Sequence, residues 1–178
     1  RGGNNLVKFI KNNTKIPVLG HASGICHIFV DESADIEMAS RVVTDAKTQY
    51  PSACNAVETL LIHKNFQKAD ELLASLQLSE IKLIAEPEAW DIEYGEKTLA
   101  YKFVDSIDEA IEHINTFGSG HTDCIITTNI ANAESFMNKV DSAGVYMNAS
   151  TRFADGFRYG FGAEVGISTN KIHARGPV

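Results

Sequence analysis

Apolar residues along this chain come in two alternating rhythms. Continuous β-branched or apolar runs mark Ile16 to Leu19, Ile25 to Val30, Glu58 to His63, Ile81 to Ala85, Leu99 to Val104, Ile125 to Thr128 and Val145 to Asn148 as strands. Between them lie stretches with apolar positions at helical spacing. In Ala34 to Lys47, Ile36, Ala39, Val43 and Ala46 share one face, and Ser33 is placed to cap it. Leu6 to Lys11, Phe66 to Leu76, Ser106 to Phe117 and Ile130 to Ser142 read the same way. Ser106-Ile107-Asp108-Glu109 is a capping box, and Gly118 and Gly144 stand where helices stop. The alternation predicts an α/β fold of three layers, αβα, around an open, mainly parallel sheet with helices on both faces. Such sheets carry their chemistry in loops beyond the carboxyl ends of the strands. After Asn148 the rhythm breaks. Gly156, Gly160, Gly162, Gly166 and Gly176 then punctuate a long segment of the functional-loop type.

Composition narrows the picture. At 178 residues, 44% hydrophobic and 22% charged, the chain can bury a core and is not of the disordered class. No run approaches the ~18 apolar residues of a membrane span. Arg1 at the start and His173 to Val178 at the end read as a piece cut from a longer chain. A net charge of −7 argues against nucleic acid as a partner. Residues 151–178 nevertheless hold Arg152, Arg158, Lys171 and Arg175 against Asp155 and Glu164. That local excess suits a small anionic ligand, or is a solvated surface.

Three cysteines, at 26, 54 and 124, are too few and too widely spaced for a disulfide framework and fit a reducing compartment. No Cys-x-x-Cys or His-x-x-x-His spacing offers a structural zinc site, so no metal is expected. Cys26 and Cys124 sit in apolar runs and read as core. Cys54 lies between a helix and a strand among small neighbours, in Tyr50-Pro51-Ser52-Ala53-Cys54-Asn55-Ala56. A helical turn over Asn55 to Glu58 would put Cys54 at its amino end, where N–H groups favour a thiolate and bind an oxyanion. A plain loop cysteine is the other reading of the same residues.

The stretch from Lys47-Thr48-Gln49-Tyr50-Pro51-Ser52-Ala53-Cys54-Asn55-Ala56 to Leu61 resembles the active-site signature of the γ-glutamyl phosphate reductase family. Further stretches resemble it in order: Gly20 to His27, Gly118 to Asp123, Asn148 to Gly156, Gly162 to Ser168 and His173 to Pro177. The family occurs as a separate enzyme and as the C-terminal half of bifunctional pyrroline-5-carboxylate synthase. The resemblance implies the aldehyde dehydrogenase-like catalytic fold. Residues 1–19 would be the tail end of a nucleotide-binding domain, and residues 20–178 the catalytic cysteine domain.

The resemblance also implies a reaction: γ-glutamyl phosphate and NADPH give glutamate 5-semialdehyde, phosphate and NADP, the second step of proline biosynthesis from glutamate. Cys54 would be the nucleophile and Asn55 a hydrogen-bond donor near the oxyanion. Ser150, Thr151, Arg152, Arg158 and His121 are substrate-binding candidates, since Arg grips phosphate and carboxylate bidentately. Glu93, in Ile92-Glu93-Tyr94-Gly95, is the candidate for the cofactor ribose. His27 reads as structural. A cytoplasmic homo-oligomer, fused to or working with a glutamate 5-kinase, is the expected setting. Oxidising aldehyde dehydrogenases carry a water-activating Glu near the stretch matching Gly20 to Gly24. Here no acid occurs between Arg1 and Val30, which favours the reductive direction. The competing readings are an oxidising aldehyde dehydrogenase, which needs that base, and a non-catalytic relic, which predicts an unreactive Cys54.

Overall fold

The computed structural model describes residues 4–21, 23–162, 167–171 and 175–177. Helix α1 (Asn4–Asn13) leads to β1 (Cys26–Val30), α2 (Ile36–Thr48), β2 (Val57–His63), α3 (Ala69–Leu78), β3 (Lys82–Ala85) and β4 (Thr98–Val104). Then come α4 (Ile107–Phe117), β5 (Thr122–Ile126), α5 (Ile130–Lys139) and β6 (Gly144–Met147). A single 3-10 turn, Thr151–Phe153, and a two-residue antiparallel pair, β7 (Ile167–Ser168) with β8 (Gly176–Pro177), complete the described elements. β1 to β6 form one sheet in the order β3-β4-β2-β1-β5-β6, and every pairing in it is parallel.

Burial explains the sheet. β1, β2 and β5 are buried at every position, because a strand covered on both faces reads as a continuous apolar run. Alternate side chains still divide between two cores. Ile28, Val30, Leu60, Ile62, Cys124 and Ile126 pack under α2 and α3, against Ala39, Val43, Ala46, Leu72 and Leu76. Phe29, Leu61 and Ile125 pack on the other face under α4 and α5, against Ala110, Ile111, Ile114, Ala133 and Phe136. This is the three-layer αβα arrangement expected.

Local expectations fared unevenly. The Ser106 cap forms, its hydroxyl accepting the Glu109 N–H at 3.2 Å. Gly118 ends α4 because a Cβ there would lie 2.5 Å from the Ile114 carbonyl, not because the backbone turns left-handed. Asp35, not Ser33, caps α2, accepting the Met38 N–H at 2.8 Å. Ser33 is drawn instead to Asp31 and Thr127, both at 2.9 Å. Residues 16–19 form no strand; Ile16 and Leu19 stay exposed, since no neighbouring strand offers them a ladder. No helical turn forms at Asn55 to Glu58, because Val57 already begins β2.

Candidate active site

The chemistry-bearing residues gather at the amino ends of the central strands, not the carboxyl ends. The carboxyl end of β1 is occupied by Asp31. Its carboxylate accepts hydrogen bonds from Thr127 at 2.6 Å, Asn132 at 3.1 Å and Ser33 at 2.9 Å. Burial pushes Asp31 up, but those bonds outweigh it and hold the carboxyl below its ordinary range. A group so fully satisfied braces loops.

Cys54 sits immediately before β2 in consecutive tight turns, in which the Ala53 N–H reaches the Tyr50 carbonyl and the Ala56 N–H reaches the Ala53 carbonyl. The helix dipole anticipated for it is therefore absent. A different device holds it. Gly24, just before β1, lies against the Cys54 backbone so closely that a Cβ would be 2.0 Å from the Cys54 carbonyl oxygen. The Cys26 thiol donates to that same carbonyl at 3.5 Å. Cys54 is half-buried, whereas Cys26 and Cys124 are buried. Burial pushes both of those thiols up, Cys124 to about 12, so neither offers a thiolate.

The segment after β6 leads to the Cys54 loop. It begins at Asn148, in left-handed backbone with φ +53°, a conformation a short polar side chain tolerates. Asn148 accepts the Thr127 N–H and donates to the Thr127 carbonyl, at 3.0 and 2.9 Å, at the carboxyl end of β5. The segment ends beside Cys54 at the amino end of β2. There Thr151 Oγ1 donates to the Asn55 carbonyl at 2.6 Å and Asn55 Nδ2 donates to the Ala154 carbonyl at 2.9 Å. One of the Asn55 amide protons is thus taken by the segment, while its buried Oδ1 has no hydrogen-bond partner among the described residues. Ser150 is buried and its hydroxyl accepts the Arg152 N–H. Between this segment and α2 lies a cleft of about 300 Å³ lined by Met38, Arg41, Asp45, Ser150 and Phe153, among others.

Arg152 reaches over the Cys54 loop, its Nε donating to Gln49 Oε1 at 3.0 Å and its guanidinium 5.8 Å from the Tyr50 ring. Arg158 lies apart from it, over the Phe153 ring at 4.4 Å. His121, immediately before β5, is bound through Nδ1 to Thr122 Oγ1 at 2.7 Å. Its ring meets His21 edge-on at 5.4 Å. Burial, then the neighbouring His21, pushes His121 down to about 4, and the positive charge of Arg152 acts in the same direction. His121 is therefore a neutral imidazole near pH 7, with a buried Nε2 that no group among the described residues satisfies. His21 was not singled out by sequence reasoning, although it lies within Gly20 to His27; only the fold brings it to His121. The exposed Glu93 stands close enough for its charge to act on His21, opposing the burial that lowers it. His27 is core, its N–H bonded to Asp123 Oδ1 at 2.7 Å.

Asn55, Thr151 and Arg152 thus converge on the Cys54 loop, and His121 stands at the amino end of β5. The aldehyde dehydrogenase family profile matches residues 99–164. The whole chain is 57% identical to part of γ-glutamyl phosphate reductase from Brachyspira hyodysenteriae, covering 45% of that protein. The chain is thus similar over its whole length to part of the γ-glutamyl phosphate reductases, and residues 99–164 match the aldehyde dehydrogenase family. The crystal structure of the Thermotoga maritima γ-glutamyl phosphate reductase superposes with a TM-score of 0.94 at 44% identity, over all of this chain and 47% of that one. Delta-1-pyrroline-5-carboxylate synthase 2 of Oryza sativa subsp. japonica is 54% identical over the whole chain, which spans 26% of it. The chain spans about 45% of the length of the reductases it matches. Among the described residues no group of three or more His, Cys, Asp or Glu is arranged to hold a metal, and no helix is long and apolar enough to cross a membrane.

Proposed function

We propose that this chain is the cysteine-bearing catalytic part of a γ-glutamyl phosphate reductase, with Cys54 as nucleophile. The observation that carries the reading is the contrast among the thiols: Cys54 alone is half-buried, clamped between Gly24 and the Asn55–Thr151 tie, while Cys26 and Cys124 are buried. The Cys54 thiolate attacks the acyl carbon of γ-glutamyl phosphate; a C–S bond forms, the C–O bond to phosphate breaks, and phosphate leaves with the electron pair. An acyl phosphate needs little acid assistance, so a neutral His121 is compatible with this step. A nicotinamide cofactor, NADPH in this reading, supplies hydride to the thioester carbon when bound. Collapse of the resulting hemithioacetal breaks the C–S bond, returns the electron pair to Cys54 and releases glutamate 5-semialdehyde.

The other residues take supporting roles. Arg152, with Ser150 and Thr151 beside it in the chain, supplies the positive charge for phosphate or the substrate carboxylate, and Arg158 adds a second positive charge farther along the same segment. Glu93 fits a cofactor contact because its carboxylate is exposed while the backbone beside it is pinned, the Gly95 N–H to Glu58 Oε1 at 3.4 Å. The segment before β1, where a water-activating carboxylate would favour hydrolysis, holds His21 instead. This reading treats residues 1–19 as the end of a nucleotide-binding domain and residues 20–178 as the catalytic domain. It places the protein in the cytoplasm, as a homo-oligomer fused to or working with a glutamate 5-kinase.

The test is alkylation of the thiols in the full-length protein, followed by mass spectrometry across pH, with and without glutamate plus phosphate. Cys54 should react fastest and be protected by the ligands, and Cys54→Ser should abolish NADPH oxidation with γ-glutamyl phosphate. Equal reactivity of all three thiols, or a Cys54→Ser protein that still turns over, sinks the assignment.

A further inference from the structure

Among the described residues one buried charge pair lies beside the nucleophile without being part of the chemistry above. Lys47 ends the buried face of α2, and Glu58 is the second residue of β2. The loop between them carries Cys54. Lys47 Nζ meets Glu58 Oε2 at 2.7 Å, with side chains 0% and 1% exposed. The other carboxylate oxygen faces a different loop: Oε1 accepts the Gly95 N–H at 3.4 Å, and the Tyr94 N–H also points at this carboxylate. Glu93, the exposed carboxylate assigned above to the cofactor, is the next residue. One carboxyl group therefore closes the base of the cysteine loop and anchors the candidate cofactor loop.

Burying two charges is costly, and an apolar pair of similar size often serves stability as well or better. Burial works against the charged form of both partners, pushing Glu58 up and Lys47 down, against the mutual attraction of the pair. Hydrophobic neighbours were available, since Ala46 and Val57 beside them are fully buried core. A tether that a carboxylate can make to backbone N–H groups, and a leucine cannot, accounts for a charge at this position.

We propose that Lys47 and Glu58 are positioning residues that couple the 93–95 loop to the Cys54 loop, so that cofactor held at Glu93 sets the reactivity of the thiol. This rests on the functional reading above. The pair touches no reacting atom; it acts through the geometry of two loops whose misplacement by about 1 Å can cost on the order of 100-fold in rate.

The experiment uses the full-length protein and the double variant Lys47→Met/Glu58→Leu, which removes both charges and both tethers while keeping volume. Cooperative thermal unfolding reports the fold. In the wild type, NADP should change the rate at which Cys54 is alkylated. In the double variant that response should vanish, the KM for NADPH should rise roughly 10-fold or more, and the KM for γ-glutamyl phosphate should stay within about twofold. Should the double variant not fold, Glu58→Gln serves as the test variant: it keeps an acceptor for the Gly95 N–H but loses the ion pair to Lys47, so its response to NADP should be weakened, not lost. A wild-type Cys54 indifferent to NADP overturns the proposal, and so does a folded variant that keeps the wild-type response and cofactor KM. Those outcomes leave the nucleophile assignment standing, because that assignment is decided separately by Cys54→Ser.

Discussion

At the scale of single residues, the site is a set of neutral or paired groups around one accessible thiol. His121 illustrates how burial selects a protonation state. Its folded-state value near 4 lies below the 6.5 of an exposed imidazole. Between those values the unfolded chain binds a proton that the native chain refuses, so stability falls as pH drops through the window. His113, pushed down to about 4 chiefly by burial, acts in the same direction. Denaturant unfolding should therefore show stability declining between about pH 6.5 and pH 4. His121→Asn should flatten part of that decline, and a decline unchanged by the substitution would contradict a neutral, buried His121. For Cys54, no helix dipole acts on the thiol, because Val57 already begins β2.

Elements decide where that thiol stands. The loop between α2 and β2 is short and heavily tied, and its most demanding contact is with Gly24. Gly24→Ala would push a methyl to within 2.0 Å of the Cys54 carbonyl oxygen, and the atoms it would meet belong to the backbone, which cannot swing aside. The expected outcome is loss of turnover together with slowed Cys54 alkylation, with the β-sheet circular dichroism retained; wild-type kinetics in this variant would show that the two loops are not held together as described. Helix starts are more forgiving. Removing the Ser106 cap leaves one N–H in the first turn of α4 without its side-chain partner, so Ser106→Ala should cost about 1 kcal/mol by chemical denaturation and leave the site untouched. The capping box was legible in sequence because it depends only on neighbours. The Asp35 cap was misjudged as Ser33, because the Ser33 hydroxyl is claimed by Thr127, far away in sequence.

For the whole molecule, the segment after β6 leaves large aromatic side chains exposed. Phe157 and Phe161 are 78% and 70% exposed, and Tyr50 and Phe153 beside the cysteine loop are also exposed. Large exposed apolar surface usually marks a place where one surface meets another. Phe157→Ser with Phe161→Ser should lower self-association measured by light scattering. A monomer that is unchanged by the pair of substitutions would remove this surface as the basis for the proposed oligomer.

The division of labour between sequence and tertiary structure follows from the range of the interactions involved. Hydrophobic periodicity is local, so the αβα layers, the parallel sheet and the burial of Cys26 and Cys124 were all readable along the chain. The resemblance of whole segments likewise singled out Cys54, Arg152 and His121. What the sequence could not carry was anything set by strands meeting. Parallel pairing of β2 with β1, and of β1 with β5, put the site at the amino ends of strands. Val57 and Glu58, expected in a helical turn, became strand because β1 offered them a ladder. His21 found His121, and Glu58 found both Lys47 and Gly95, across distances along the chain that no periodicity encodes. Local propensity chose the elements; the closure of hydrogen-bond ladders and the exclusion of water between them decided which side chains would share a site.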